Sequence, residues 1–165
     1  MNKIDRLMRT INNALENYAH LIVVNNQKTL ELYNYKIILN ADYINEFLVN
    51  EHYANLITDE IERFEIIQYF VHQIDKFRKD LYSRQIVYQP KYQDNENLAA
   101  CLSCVQCIVR HNRIDIHVFI RSQNFDNNFL YDCQTFSILM EQMSKLLSRK
   151  IGFIYINIIS LHKIL

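Results

Sequence analysis

Apolar residues recur at helical intervals near the start of the chain. Ile4, Leu7, Met8, Ile11 and Leu15 fall on one face and predict an amphipathic helix. "HLIVV" (20–24) reads as a strand, and "TLELYNYKIIL" (29–39) as extended chain. Ile44, Phe47, Leu48 and Leu56 predict a helix over 42–57. Asp59 followed by Glu62 resembles a capping box, and Ile61, Phe64, Ile67, Val71, Ile74 and Leu81 then form a helical stripe. Past Ser83 the pattern becomes β-rich, in "RQIVYQ", "CLSCVQCIVR" and "RIDIHVFIR", with "HNR" at 111–113 as a hairpin turn. Phe136, Leu139, Met140, Met143 and Leu146 mark a second helix over 131–148, followed by Gly152. "FIYINII" (153–159) is almost wholly apolar, as expected of a strand buried on both faces. Helices and strands mix without a βαβ rhythm, which predicts an α+β fold.

Composition adds three constraints. A chain of 165 residues, half of them hydrophobic, suits one domain spanning 1–165 with a real core. It holds one Gly and one Pro, so its turns must rest on Asn and Asp, as at 25–26, 40–42, 94–97, 111–112 and 126–128. Acidic and basic residues balance at 18 each, which argues against a nucleic-acid binder yet leaves room for a local phosphate pocket. The N-terminal stretch is amphipathic rather than signal-like, and no apolar run reaches membrane-spanning length. The expectation is a cytoplasmic protein, with its four cysteines as reduced thiols.

Three of those cysteines are spaced C-x2-C-x2-C at Cys101, Cys104 and Cys107. A thiolate knuckle needs a tight loop so that the sulfurs converge. Here no Gly or Pro bends the segment. On a strand, Cys101 and Cys107 stand about 20 Å apart and Cys104 points the other way. A metal site is therefore not expected, and Cys104 and Cys107 read as small core side chains.

Cys101 differs through its neighbours. Ser83-Arg84-Gln85 ends a helix and starts a strand; Cys101 is followed by Gln106; Arg121-Ser122-Gln123-Asn124 ends the next strand. Asp132 then falls near the start of the long helix, and Gly152, Ser160 and His162 close the series. In order and spacing this resembles the thymidylate synthase family, including its deoxycytidylate hydroxymethylase branch, over residues 83–164. Residues 1–82 would be an abbreviated N-terminal part, with "TLELYNYKIIL" and Glu60 or Glu62 as remnants of early elements. The resemblance implies a twisted mixed sheet packed on long helices, a homodimer, and a pyrimidine nucleotide 5′-monophosphate of the dCMP or dUMP type. It implies that the Cys101 thiolate attacks C6 of the base, so that C5 takes a one-carbon unit from 5,10-methylenetetrahydrofolate. Arg121 and Ser122 would hold the phosphate. Arg84 would reach the phosphate of the other subunit, Gln106 would belong to the site, and His162 would sit near sugar or base. A carboxylic acid at Asp132 can donate to N3 of cytosine and accept from its amine; it can equally cap the helix. The chain departs from the family pattern at Ala99, Ala100, Leu102, Asn124, Asn128, Leu130 and Ile164, and it has no Trp. Two functions remain open: a C5 methyl- or hydroxymethyltransferase using Cys101, or an inactive relative acting as a dimeric structural or regulatory partner.

Overall fold

A computed structural model describes residues 2–50, 60–90 and 101–165. Helix α1 (Lys3–Tyr18) starts where the Asn2 side chain accepts the Asp5 amide, and it buries Ile4, Ile11 and Leu15 as the periodicity predicts. Strands β1 (His20–Val24) and β2 (Gln27–Leu39) form a hairpin. Asn25 and Asn26 both take positive φ, 50° and 64°, as a two-residue primed turn requires. Asn40 caps α2 (Ala41–Val49) by accepting the Asp42 and Tyr43 amides. Glu46 of α2 accepts the Lys3 and Ile4 amides, which ties α2 to the start of α1.

The helix predicted over 42–57 ends at Val49; its remainder and Asp59 of the capping box lie outside the described residues. The stripe from 61 to 81 divides into α3 (Glu60–His72) and α4 (Ile74–Lys79). At the break the Gln73 amide is shared between the Tyr69 and Phe70 carbonyls. Strands β3 (Val87–Tyr88), β4 (Leu102–Arg110) and β5 (Arg113–Asn124) follow. His111 and Asn112, again both at positive φ, turn β4 into β5. Helix α5 (Phe129–Leu147) begins two residues before the predicted start and ends at left-handed Ser148. Strand β6 (Lys150–Ile164) completes the chain.

The six strands form one mixed sheet in the order β1-β2-β6-β5-β4-β3. All neighbours are antiparallel except β5 and β6, which α5 joins as a parallel crossover. Strand β6 is not buried on both faces. Ile154, Ile156 and Ile158 are sealed in the core, whereas Ile159 is 53% exposed. The sheet's second face carries large apolar side chains, Ile38, Phe119 and Ile159 among them, that no element among the described residues covers.

The sheet has a shared irregularity. The β2–β6 ladder pairs Tyr33 with Ser160 and Tyr35 with Ile158 but skips Asn34 and Ile159. The β5–β6 ladder skips Ile159 and Arg121 in the same way, and the β4–β5 ladder slips between Leu102 and Cys104. Asn34 has φ 53°. The unpaired residues Asn34, Ile159 and Arg121 thus fall in one row, with Cys101 at its end, and next to that row Ser103 bulges out of β4 between the partners of Ile120 and Phe119. Buried positions change parity there. On β6 they pass from Ile154, Ile156 and Ile158 to Leu161, on β2 from Leu39 and Ile37 to Leu32, and on β5 from Val118 and Ile120 to Gln123.

Candidate functional site

The break in register brings the two ends of the C-terminal motifs together. With Leu102 opposite Ile120 and Cys104 opposite Phe119, Cys101 lies alongside Arg121. The Arg121 amide donates to the Cys101 carbonyl at 2.7 Å. Both side chains are exposed, and Ser122 beside them is half-buried. Two steps further, Asn124 pairs with His162 across the parallel ladder, and the Phe125 amide donates to the His162 carbonyl at 2.9 Å. The chain then turns into α5. Asp132 stands in the first turn of that helix, whose N-cap is Asn128. The capping role weighed for Asp132 is thus corrected: its amide already bonds the Asn128 carbonyl, one full turn inside the helix. Cys101, Arg121, Ser122, Asp132 and His162 all lie around the C-terminal end of β5.

Arg84 and Gln106 lie elsewhere. The Gln106 amide donates to the Arg84 carbonyl at 2.7 Å, and Gln106 pairs with Val87 on one side and His117 on the other. His117 precedes Ser122 by five residues of extended chain, a separation of about 17 Å. The two residues hold each other beside the uncovered sheet face. Arg84 itself is exposed.

Next to His162 the fold assembles a group that sequence reading missed. Paired residues in a ladder share a face, so His20, Glu31, His162 and Asn124 form a row across β1, β2, β6 and β5. Tyr33, Ser160 and Ser122 form the adjacent row on the same face. Ser160 Oγ hydrogen-bonds Glu31 Oε1, and the His20 and Tyr33 rings lie 6.2 Å apart. Glu31 is only 7% exposed. Burial pushes its carboxyl pKa up, but the Ser160 and Tyr33 hydroxyls and the nearby His162 and His20 outweigh that and hold it below the usual carboxylate value. In return, the Glu31 carboxylate raises the Tyr33 phenol. Oε2 of Glu31 is buried and receives no hydrogen bond of ordinary geometry. The one sequence signal for this group is a glutamate at the third position of an otherwise apolar-aromatic run, "TLELYNY".

The remaining thiols match the core reading only in part. Cys107 and Cys133 are buried, and desolvation drives both pKa values far up, so neither is a nucleophile. Cys104, on the other face, is half-buried, and burial raises its pKa as well. Among the described residues no group of His, Cys, Asp or Glu side chains is placed to hold a metal ion. No described helix is long and apolar enough to cross a membrane.

No protein-family model matches the sequence, and no curated protein matches it. The fold does match. The thermostable thymidylate synthase A from Bacillus subtilis superposes with a TM-score of 0.70 over 97% of this chain and 79% of that one, at 11% identity. The chain has the thymidylate synthase fold. At that identity the likeness concerns architecture, and it agrees with the α+β class and with a mixed sheet backed by helices.

A cleft of about 380 Å³ is lined by Phe77, Arg78, Leu81, Leu146, Leu147, Ser148 and Arg149. It lies at the C-terminal end of α5, about 20 Å along the helix from Asp132. That is not where a one-carbon donor would meet Cys101.

Proposed function

We propose that the chain binds a pyrimidine nucleoside 5′-monophosphate at the C-terminal end of β5, with Cys101 as its nucleophile. The observation that carries this reading is the 2.7 Å main-chain contact between Arg121 and Cys101. It sets an exposed thiol next to an exposed guanidinium that suits a phosphate dianion. Ser122 adds a hydroxyl to the phosphate, His162 faces the sugar, and Asp132 reads the base edge as cytosine.

In the reaction we propose, the Cys101 sulfur bonds to C6 and the C5–C6 π electrons become an enolate-like pair centred on C5. C5 then takes a proton from solvent and gives up its original one, and the C6–sulfur bond breaks to restore the base and the thiolate. In the resembled family methylenetetrahydrofolate would supply a one-carbon electrophile to C5 in place of that proton. The described cleft provides no place for it beside Cys101, and no step here depends on it. Attack at C6 alone suffices to exchange the C5 hydrogen with water.

The same reading includes a homodimer. Ile38 (57% exposed), Phe119 (43%) and Ile159 lie on the uncovered sheet face. A second copy packing on this face would bury them and bring the exposed Arg84 toward the partner's phosphate site.

Calorimetry with dCMP, CMP and dUMP, on the native chain and on Arg121→Ala, tests the binding. Heat with at least one nucleotide, with affinity weakened about tenfold or more in the variant, is expected; no heat with any of them overturns the site. Release of tritium from C5-labelled nucleotide tests the chemistry.

A further inference from the structure

We infer that the Glu31–Ser160 pair is a receptor for the cis-diol of a ribose, so that the chain selects ribonucleotides over deoxyribonucleotides. The inference rests on the nucleotide reading above and deepens it. It starts from Glu31, which is more than nine-tenths buried and whose Oε2 receives no hydrogen bond of ordinary geometry, although the Tyr33 hydroxyl stands close to the carboxylate. A buried carboxylate oxygen without a donor is costly, and native proteins complete such groups. Oε1 is already taken by the Ser160 hydroxyl. Having donated its proton to Oε1, Ser160 Oγ still offers lone pairs. Glu31 Oε2 and Ser160 Oγ are therefore two acceptors side by side, and they call for a ligand group with two neighbouring donors.

Position decides which group that is. Ser160 pairs with Ser122, one step from Arg121, and Glu31 pairs with His162 one row further on. From the Arg121 row to the His162 row is three residues, about 10 Å of sheet. A nucleotide's span from phosphate to sugar hydroxyls is shorter than this, and the long Arg121 side chain reaching along the sheet makes up the difference. Asp132, which faces the base in the same reading, comes from α5 on another side of the site. The two acceptors are thus left for the sugar. A ribose presents two hydroxyls to them; a 2′-deoxyribose presents one and leaves an acceptor unmatched, and sites built to bond a hydroxyl reject analogues that lack it. Tyr33 and His20, both exposed and in ring contact, are the ladder neighbours of the pair on the β1–β2 side, so in this reading the sugar enters by displacing side chains rather than backbone.

The test is calorimetry of CMP against dCMP and of UMP against dUMP, on the native chain, Glu31→Gln, Ser160→Ala and Arg121→Ala. The ribonucleotide of each pair is expected to bind about tenfold or more tightly. Glu31→Gln and Ser160→Ala should each remove most of that preference while deoxynucleotide binding persists. Arg121→Ala should weaken both sugars alike and leave their ratio unchanged. Equal binding of ribo- and deoxyribonucleotides, or a preference that follows the cytosine amine instead of the 2′-hydroxyl, overturns this inference and leaves the nucleotide site standing. Absence of binding by all four nucleotides overturns both. Circular dichroism of the Glu31→Gln variant separates lost recognition from lost folding, and the Ser160→Ala variant supplies the same reading independently.

Discussion

The His117 ring lies almost flat on Tyr155, with centroids 4.8 Å apart and planes 14° from parallel. Burial lowers the His117 pKa, and the Asp115 carboxylate only partly offsets this. A folded state that resists protonating this ring is at full advantage above the ordinary histidine value of 6.5. It loses that advantage as pH falls from there toward the folded pKa, because the unfolded chain takes up the proton first. The melting temperature should therefore drop between pH 7.5 and 5.5. His117→Phe keeps a ring on Tyr155 without titrating, and it should flatten that part of the profile; an unchanged slope in the variant would assign the effect to other histidines.

Gly152 is required by contact, not by backbone freedom, since no glycine in the chain takes positive φ. A Cβ there would stand 2.2 Å from Asp115 Oδ1 and 2.3 Å from the Ile114 carbonyl oxygen. Asp115 cannot simply move aside, because its Oδ1 accepts the Phe153 amide at 2.9 Å and its carboxylate pairs with Arg113. Gly152→Ala should cost about 3 kcal/mol, at the upper end of overpacking effects. Urea unfolding measures it, and a cost below about 1 kcal/mol would mean that the β5–β6 ladder yields easily at this point.

Ile159 and Phe119 test the second copy. Ile159→Asp places a charge in the middle of the uncovered face and should convert a dimer to a monomer in sedimentation velocity, with the fold intact by circular dichroism. A native chain that sediments as a monomer would remove the homodimer and, with it, the role of Arg84 across the interface.

Cys101 is the exposed thiol next to Arg121, while Cys107 and Cys133 are sealed in the core. Cys101→Ser should leave nucleotide affinity within about threefold and abolish tritium release from C5. Cys104→Ala should leave both unchanged. Release that survives in Cys101→Ser would exclude it as the nucleophile.

Much of this fold is legible in local signals. The paired turn residues Asn25–Asn26 and His111–Asn112, the Asn2 and Asn40 caps and the stripes of α1 and α5 act within a few residues, so spacing alone reveals them. The C-terminal cluster is legible for a different reason: Cys101, Arg121, Ser122 and His162 sit at strand ends, where motif order maps onto adjacent strands. Three features are not legible. The helix break at Gln73 has no Gly or Pro to announce it. The apolar run of β6 hides an alternation, because its second face is apolar without being covered by any element among the described residues. Glu31 meets Ser160 across 129 residues, through a register that depends on the kink at Asn34, and no local pattern encodes that pairing.

The measurement that tests the central claim most directly is a thermodynamic cycle between ligand and protein. Calorimetry would compare CMP with cytidine on the native chain and on Arg121→Ala. If Arg121 holds the 5′-phosphate, removing the phosphate and removing the guanidinium should each cost about tenfold or more in affinity. Removing both should cost little beyond either alone, because the two changes delete one interaction. Additive losses, or equal affinity for CMP and cytidine on the native chain, would contradict a phosphate site at Arg121 and the function built on it.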